Sequence, residues 1–328
     1  MKILITGSSG YVGSYLIPFL RKKYPNYKLY GLDTGFYFQD LSADITIPEI
    51  HLDGVIFRDM RQQIKYLPKD IDTVIHLASL SNDPLGNINT KLTEEINVKG
   101  TQNLIKILNK KKFKKLIFAS SCSVYGYSNY LVNEESKLNP LTSYSVSKVQ
   151  IENYLRKKNF KSISLRFATA CGFSPRIRLD LVLNDFVVSA LYKKKISILS
   201  NGLALRPLID VHDMCASIDW AVHRYNRINK HEVFNVGKNS NNIRIIDLAE
   251  TVKKNIPNCK IEILKKKDND SRSYKVDFTK FNIPESKLTL LLINKVPVWV
   301  IVLLFTFEDK PPPTKYVTVS VVFDGTWP

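Results

Sequence analysis

A chain of 328 residues with 44% hydrophobic content and no internal repeat is long enough for one large core and a smaller lobe. Its formal charge of +18 comes largely from lysines spread through residues 110–115, 157–158, 193–195 and 265–267. They lack a basic-aromatic motif, so they read as solvated faces and argue against a nucleic-acid partner. Cys122, Cys171, Cys215 and Cys259 stand apart, with neither a CxxC pair nor metal-ligand spacing. That excludes a disulfide framework and a metal centre, and points to a reducing, cytoplasmic setting.

The apolar run from Met1 to Thr6 reads as a buried first strand, leaving no room for a cleavable leader. It passes directly into Gly7-Ser8-Ser9-Gly10-Tyr11-Val12-Gly13, a G-x-x-G-x-x-G turn, and then into a helix with apolar Tyr11, Val12, Tyr15, Leu16 and Leu20. Strand, glycine turn and helix in that order suit a dinucleotide, with Gly7 for the tight turn, Gly10 for approach of the pyrophosphate and Gly13 for helix–strand packing. The helix N-terminus then presents its amides to the phosphates. Asp33 ends the next apolar strand, Lys28 to Leu32, about 20 residues on, where an acid binds the ribose hydroxyls. A carboxylate there repels a 2′-phosphate, so NAD is favoured over NADP.

Strands follow at Gly54 to Phe57, before Asp59, and at Thr73 to Ser79. A polar helix from Lys91 to Asn109 carries Asn97 and leads to a strand at Leu116 to Ala119, followed by Ser120 to Gly126. This alternation predicts an α/β fold of Rossmann type, a doubly wound parallel sheet with helices on both faces and ligands beyond the strands' carboxyl ends. Tyr144 and Lys148 lie four apart on one helical face, where an ammonium can stabilise a phenolate. Leu179 to Phe186 has the apolar spacing of an amphipathic helix. Arg176, Arg178 and Arg206 are suited to bidentate phosphate contacts.

Together Gly7, Gly10 and Gly13, Asp33, Asp59-Met60, His76-Leu77-Ala78, Asn97, Ser120-Ser121, Val124-Tyr125-Gly126, Tyr144 and Lys148 resemble the extended short-chain dehydrogenase/reductase family. Leu165-Arg166-Phe167, Gly172, Arg206-Pro207, Val211, Asp213 and Phe234-Asn235-Val236-Gly237 resemble later landmarks of its sugar-nucleotide epimerase/dehydratase branch. The resemblance covers about residues 1–282. It implies an NAD site of Gly7, Gly10, Tyr11, Val12, Gly13, Asp33, Asp59, Met60, Leu77, Ala78, Ser79, Asn97, Tyr144 and Lys148. It also implies catalysis by Ser121, Tyr144 and Lys148, and a nucleotide-diphosphate sugar held by Ser123, Asn184, Arg176, Arg178 and Arg206. A homodimer is implied as well.

Dehydratases that resemble this chain place Asp-Glu after the serine, whereas this chain has Cys122-Ser123. Strand alternation should aim Cys122 away from the sugar, and a small hydroxyl at the place of Ser123 is similar to the UDP-glucose 4-epimerases. A reductase of the same branch and a cofactor-binding protein without turnover are the alternatives. Asp210 departs from the aromatic or histidine usual at its place. The chain divides on this reading into an NAD-binding domain at 1–172, to which later segments can return, a substrate lobe at 173–282 and an atypical tail at 283–328. The tail lacks arginine and helical periodicity, and Lys295 and Pro297 break its apolar run, so no membrane span is expected and the segment reads as foreign to the fold.

Overall fold

The computed structural model describes residues 1–38, 47–81, 86, 88–111, 113–224, 230–256, 258–264 and 272–281, so the tail lies outside the described residues. Seven strands form one sheet: β1 (Lys2–Thr6), β2 (Lys28–Asp33), β3 (Gly54–Phe57), β4 (Thr73–His76), β5 (Lys115–Ser121), β7 (Lys161–Phe167) and β11 (His231–Val236). Their order is β3-β2-β1-β4-β5-β7-β11, and every neighbouring pair is parallel. Chain direction across the sheet reverses between β1 and β4, the switch point at which such sheets open a ligand crevice. Because side chains alternate, Ile3, Ile5, Ile75 and Ile117 join one hydrophobic core while Leu4, Val74, Leu116 and Phe118 join the other.

Helices α1 (Tyr11–Lys23), α2 (Thr101–Lys110), α3 (Ser143–Arg156) and α5 (Val211–His223) belong to this body, whereas α4 (Val182–Lys193) and α6 (Ile245–Asn255) build the lobe. The lobe packs Leu183, Phe186, Val187, Leu208, Leu248 and Val252 into its own core. Its strands β8 (Thr169–Cys171), β10 (Leu205–Asp210) and β12 (Asn242–Arg244) form a small sheet, and β9 (Lys195–Ile198) pairs with β13 (Lys260–Ile263). Two segments cross the expected division at residue 172. Strand β11 returns to the large sheet beside β7, and β14 (Ser273–Val276) pairs with β6 (Tyr127–Val132).

Three local readings are corrected by the structure. Strand β4 ends at His76 and not Ser79, since Leu77 and Ala78 turn their amides onto Thr6. The lobe helix begins at Val182 and runs to Lys193. Lys115 is not on a solvated face: it is buried, and its ammonium donates to the carbonyls of Ala221 and Val222 at the end of α5, where free carbonyls carry negative charge. Burial holds that ammonium down at about 8. Among the described residues no helix is long and apolar enough to cross a membrane, and no group of three or more His, Cys, Asp or Glu is placed to hold a metal.

Candidate active site

The glycine turn closes tightly on the sheet. Gly7 has φ +72°, and a Cβ there would stand 2.8 Å from the Ala78 amide nitrogen; at Gly13 it would stand 2.2 Å from the Gly7 carbonyl. Neither space admits a side chain. Beside the turn, the Asp33 carboxylate accepts the Ser9 amide at 3.0 Å and the Gly35 amide at 2.9 Å. The turn, the start of α1 and Asp33 fit a dinucleotide, whose phosphates and ribose they would hold. Tyr11 lies behind it, buried, with its hydroxyl donating to the Gly172 carbonyl at 2.8 Å. Val12 packs partly buried on the core. At the end of β3, Asp59 is bound by the Arg61 guanidinium at 2.6 Å, which holds its carboxyl below the usual range, and Met60 is buried.

Helix α3 starts where Thr142 and Ser145 form a reciprocal capping box, which fixes Tyr144 in the first turn. One turn on, Lys148 is buried with its ammonium 5.2 Å from the Tyr144 ring centroid and 4.9 Å from that of Phe118. It donates to the Ala119 carbonyl at 2.7 Å and to Ser79 Oγ at 3.3 Å. Burial lowers it to about 7, while Glu152, four residues along the same face, opposes the shift. Asn97, in a π-helical stretch Glu94–Gly100, grips the loop after β4 by accepting the Leu80 amide at 2.8 Å and donating to the Leu80 carbonyl at 3.0 Å. It also donates to Ser147 Oγ at 3.1 Å, and Ser147 donates to the Tyr144 carbonyl at 2.6 Å. Asn97 therefore joins the loop bearing Ser79 to the turn bearing Tyr144.

Ser121 ends β5 and its Oγ accepts the Ser123 amide at 3.1 Å, capping a short 3-10 turn Cys122–Tyr125. That cap uses a lone pair and leaves the hydroxyl proton to donate. Cys122 is fully buried, its thiol on the Arg166 carbonyl at 3.1 Å and pushed well up by burial. The reason differs from strand alternation, because the strand has already ended and the 3-10 turn rotates Cys122 into the core. Ser123 is buried beside it.

The remaining residues expected at the substrate are held inward. Asn184 is buried, accepting the Gly172 amide at 3.1 Å and donating to the Arg178 carbonyl at 2.9 Å. Arg178 donates to Ser81 Oγ at 2.7 Å and pairs with Asp180. Arg206 is buried, with its guanidinium on the Leu205 and Arg272 carbonyls and 5.7 Å from the Tyr274 ring centroid. Arg176 is buried in an ion pair with Glu49 at 2.9 Å. Sequence reasoning did not single out Glu49, whose partner lies 127 residues away. Nor did it find Glu152, although its place four residues after Lys148 was a usable signal.

Asp210 caps α5 by accepting the His212 amide at 2.8 Å, and it is packed so closely on Gly172 that a Cβ there would meet its Oδ2 at 2.2 Å. Burial raises this carboxyl to about 6. The folded state then binds more protons than the unfolded one between about pH 4 and 6, so stability falls as pH rises through that window. Asp210→Asn keeps an oxygen for the cap and removes the buried charge. It is expected to stabilise the protein by about 2–3 kcal/mol at pH 8, with the gain vanishing below pH 4. Urea unfolding at both pH values checks this; equal gains at pH 4 and 8 would refute it.

Residues 3–237 match the model of the NAD dependent epimerase/dehydratase family, and the chain belongs to that family. It is 28% identical over 271 residues to a dTDP-D-glucose 4,6-dehydratase of Dictyostelium discoideum, covering 76% of this chain and 61% of that protein. It is 26% identical over 265 residues to an uncharacterized UDP-glucose epimerase of Bacillus subtilis, covering 77% of this chain and 82% of that protein. In fold it is similar to the UDP-glucuronic acid 4-epimerase of Bacillus cereus, solved with UDP-glucuronic acid and NAD. There the TM-score is 0.71 at 24% identity, over 85% of this chain and 91% of that one. The chain thus belongs to a family of NAD-dependent enzymes that contains both epimerases and dehydratases.

Proposed function

We propose that the protein is a 4-epimerase of a nucleotide-diphosphate sugar. The observation that carries the reading is the turn after β5, where a dehydratase would need a second acid and base. Here Cys122 is sealed in the core and Ser123 offers only a hydroxyl. Epimerisation needs neither, since oxidation at C4 and reduction from the opposite face use one proton carrier twice. Tyr144 removes the C4 hydroxyl proton and later returns it, while the Lys148 ammonium beside its ring stabilises the phenolate. Ser121 donates to the same sugar oxygen as charge builds on it. NAD, which the glycine turn, Asp33 and Lys148 would hold, would supply the hydride acceptor and donor for C4 when bound. Family resemblance also favours a homodimer.

Incubation with UDP-, GDP-, dTDP- and CDP-sugars, with and without added NAD, tests the reading. The expected product has unchanged mass and no net NADH appears; a water-loss product means a dehydratase, net NADH change a reductase or dehydrogenase, and no product a binding protein. In the same assay Ser121→Ala is expected to slow turnover by about 10²-fold, whereas Cys122→Ala stays within a few-fold. A folded but inactive Cys122→Ala protein would bring the thiol into the chemistry and overturn the assignment.

A further inference from the structure

A carboxylate is bonded to the glycine turn, on which a dinucleotide's pyrophosphate would lie. Ser9, fully buried within the turn, donates its hydroxyl to Glu49 Oε1 at 2.6 Å, while its amide goes to Asp33. Glu49 sits on a short 3-10 turn, Pro48–His51, in the connection between β2 and β3. Its charge is met from the other side by Arg176, which reaches over from the segment leading into the lobe. Arg176 Nη1 stands 2.9 Å from Oε1 and Nη2 donates to Oε2 at 3.0 Å. The guanidinium is 2% exposed and lies 5.4 Å from the Phe38 ring centroid in the same β2–β3 connection. Arg176 is thus fastened to the β2–β3 connection beside the glycine turn.

We propose that Arg176 serves the cofactor site and not the sugar-nucleotide site, as a positioning residue that neutralises the Glu49 carboxylate held against the glycine turn by Ser9. Without it, Glu49 would oppose the pyrophosphate that the turn and the start of α1 are built to receive. A pair that only buttressed the fold would respond alike to loss of either member. A neutralising pair responds with opposite signs. Removing the cation leaves a buried negative charge beside the anion; removing the anion leaves a positive one.

The experiment measures binding of ADP and NAD, by calorimetry on protein freed of cofactor, to Arg176→Gln, Glu49→Gln and the double variant, and it needs no sugar substrate. Arg176→Gln is expected to weaken both ligands by about tenfold or more. Glu49→Gln should bind them as tightly as the unaltered protein or a few-fold tighter, and the double variant should return to within a few-fold of it. Equal weakening by both single variants, or ADP affinity unchanged in Arg176→Gln, overturns the proposal. Should Arg176→Gln not fold, the other two decide: weaker ADP binding by Glu49→Gln refutes it, and a double variant that binds normally supports it. Failure of the epimerase assignment would leave this result untouched.

Discussion

Tyr144→Phe is expected to lower turnover of the identified nucleotide sugar by about 10²- to 10⁴-fold while NAD affinity and melting temperature stay near those of the unaltered protein. The substitution removes one oxygen and keeps the ring. Lys148 remains 5.2 Å from that ring and keeps its bonds to Ala119 and Ser79, and the Thr142–Ser145 cap still starts the helix. What disappears is the group proposed to take a proton from the sugar as hydride departs. Single-turnover kinetics with saturating substrate separates this loss from any change in binding. Full turnover by the phenylalanine variant would remove Tyr144 from the mechanism.

The second large effect concerns stability. Arg166 and Glu152 form an ion pair with side chains 2% and 1% exposed, joined by Nε to Oε1 at 3.0 Å and Nη2 to Oε2 at 2.7 Å. Glu152 Oε1 also accepts Ser120 Oγ at 2.5 Å, and Arg166 Nη1 donates to the Tyr125 hydroxyl, which donates in turn to Asn235 Oδ1 at 2.7 Å. Arg166→Met leaves a carboxylate sealed under β5 with its ion-pair partner gone and the Ser120 hydroxyl still bonded to it. The loss is expected to be about 3–5 kcal/mol, with Arg166→Met/Glu152→Gln less damaging than Arg166→Met alone. Urea denaturation midpoints with a common slope measure both. A single-variant loss below about 1 kcal/mol would mean the pair is solvated, against its burial.

The parts legible in the sequence are those whose chemistry depends on close neighbours along the chain. Gly7, Gly10 and Gly13 announce a turn because the missing side chains leave room for backbone, and Asp33 follows at the end of the next strand. Tyr144 and Lys148 share a helical face by spacing alone. Alternating strands and helices gave the order of the parallel sheet's ingredients, though not that β11 would close its edge. Hidden from the sequence were the partners of long polar side chains. An arginine near a phosphate-binding region looks the same whether it meets a ligand or a glutamate, and Arg176 meets Glu49 only because the β2–β3 connection folds over the turn. Asn184 likewise reads as a ligand contact or a solvated residue until Gly172 is brought against it. Asp210 was visible as a departure from pattern, but its raised carboxyl follows from burial that only the packing reveals.

The return of β11 to the edge of the sheet, together with the burial of Lys115 against the end of α5, bears on the order in which the molecule can be assembled as it is synthesised. Lys115 belongs to a central strand, yet the carbonyls that accept its protons are those of residues 221 and 222. The open side of β7 finds its hydrogen-bonding partner only in His231–Val236. A growing chain that has released the glycine turn, the tyrosine and the lysine already possesses every group assigned to catalysis, but it still holds a bare strand edge and a buried ammonium without acceptors. The cofactor-binding body cannot be finished before most of the lobe has been made. The two halves are therefore interleaved in time as well as in space, and the polypeptide has no early stopping point at which a competent half could stand by itself.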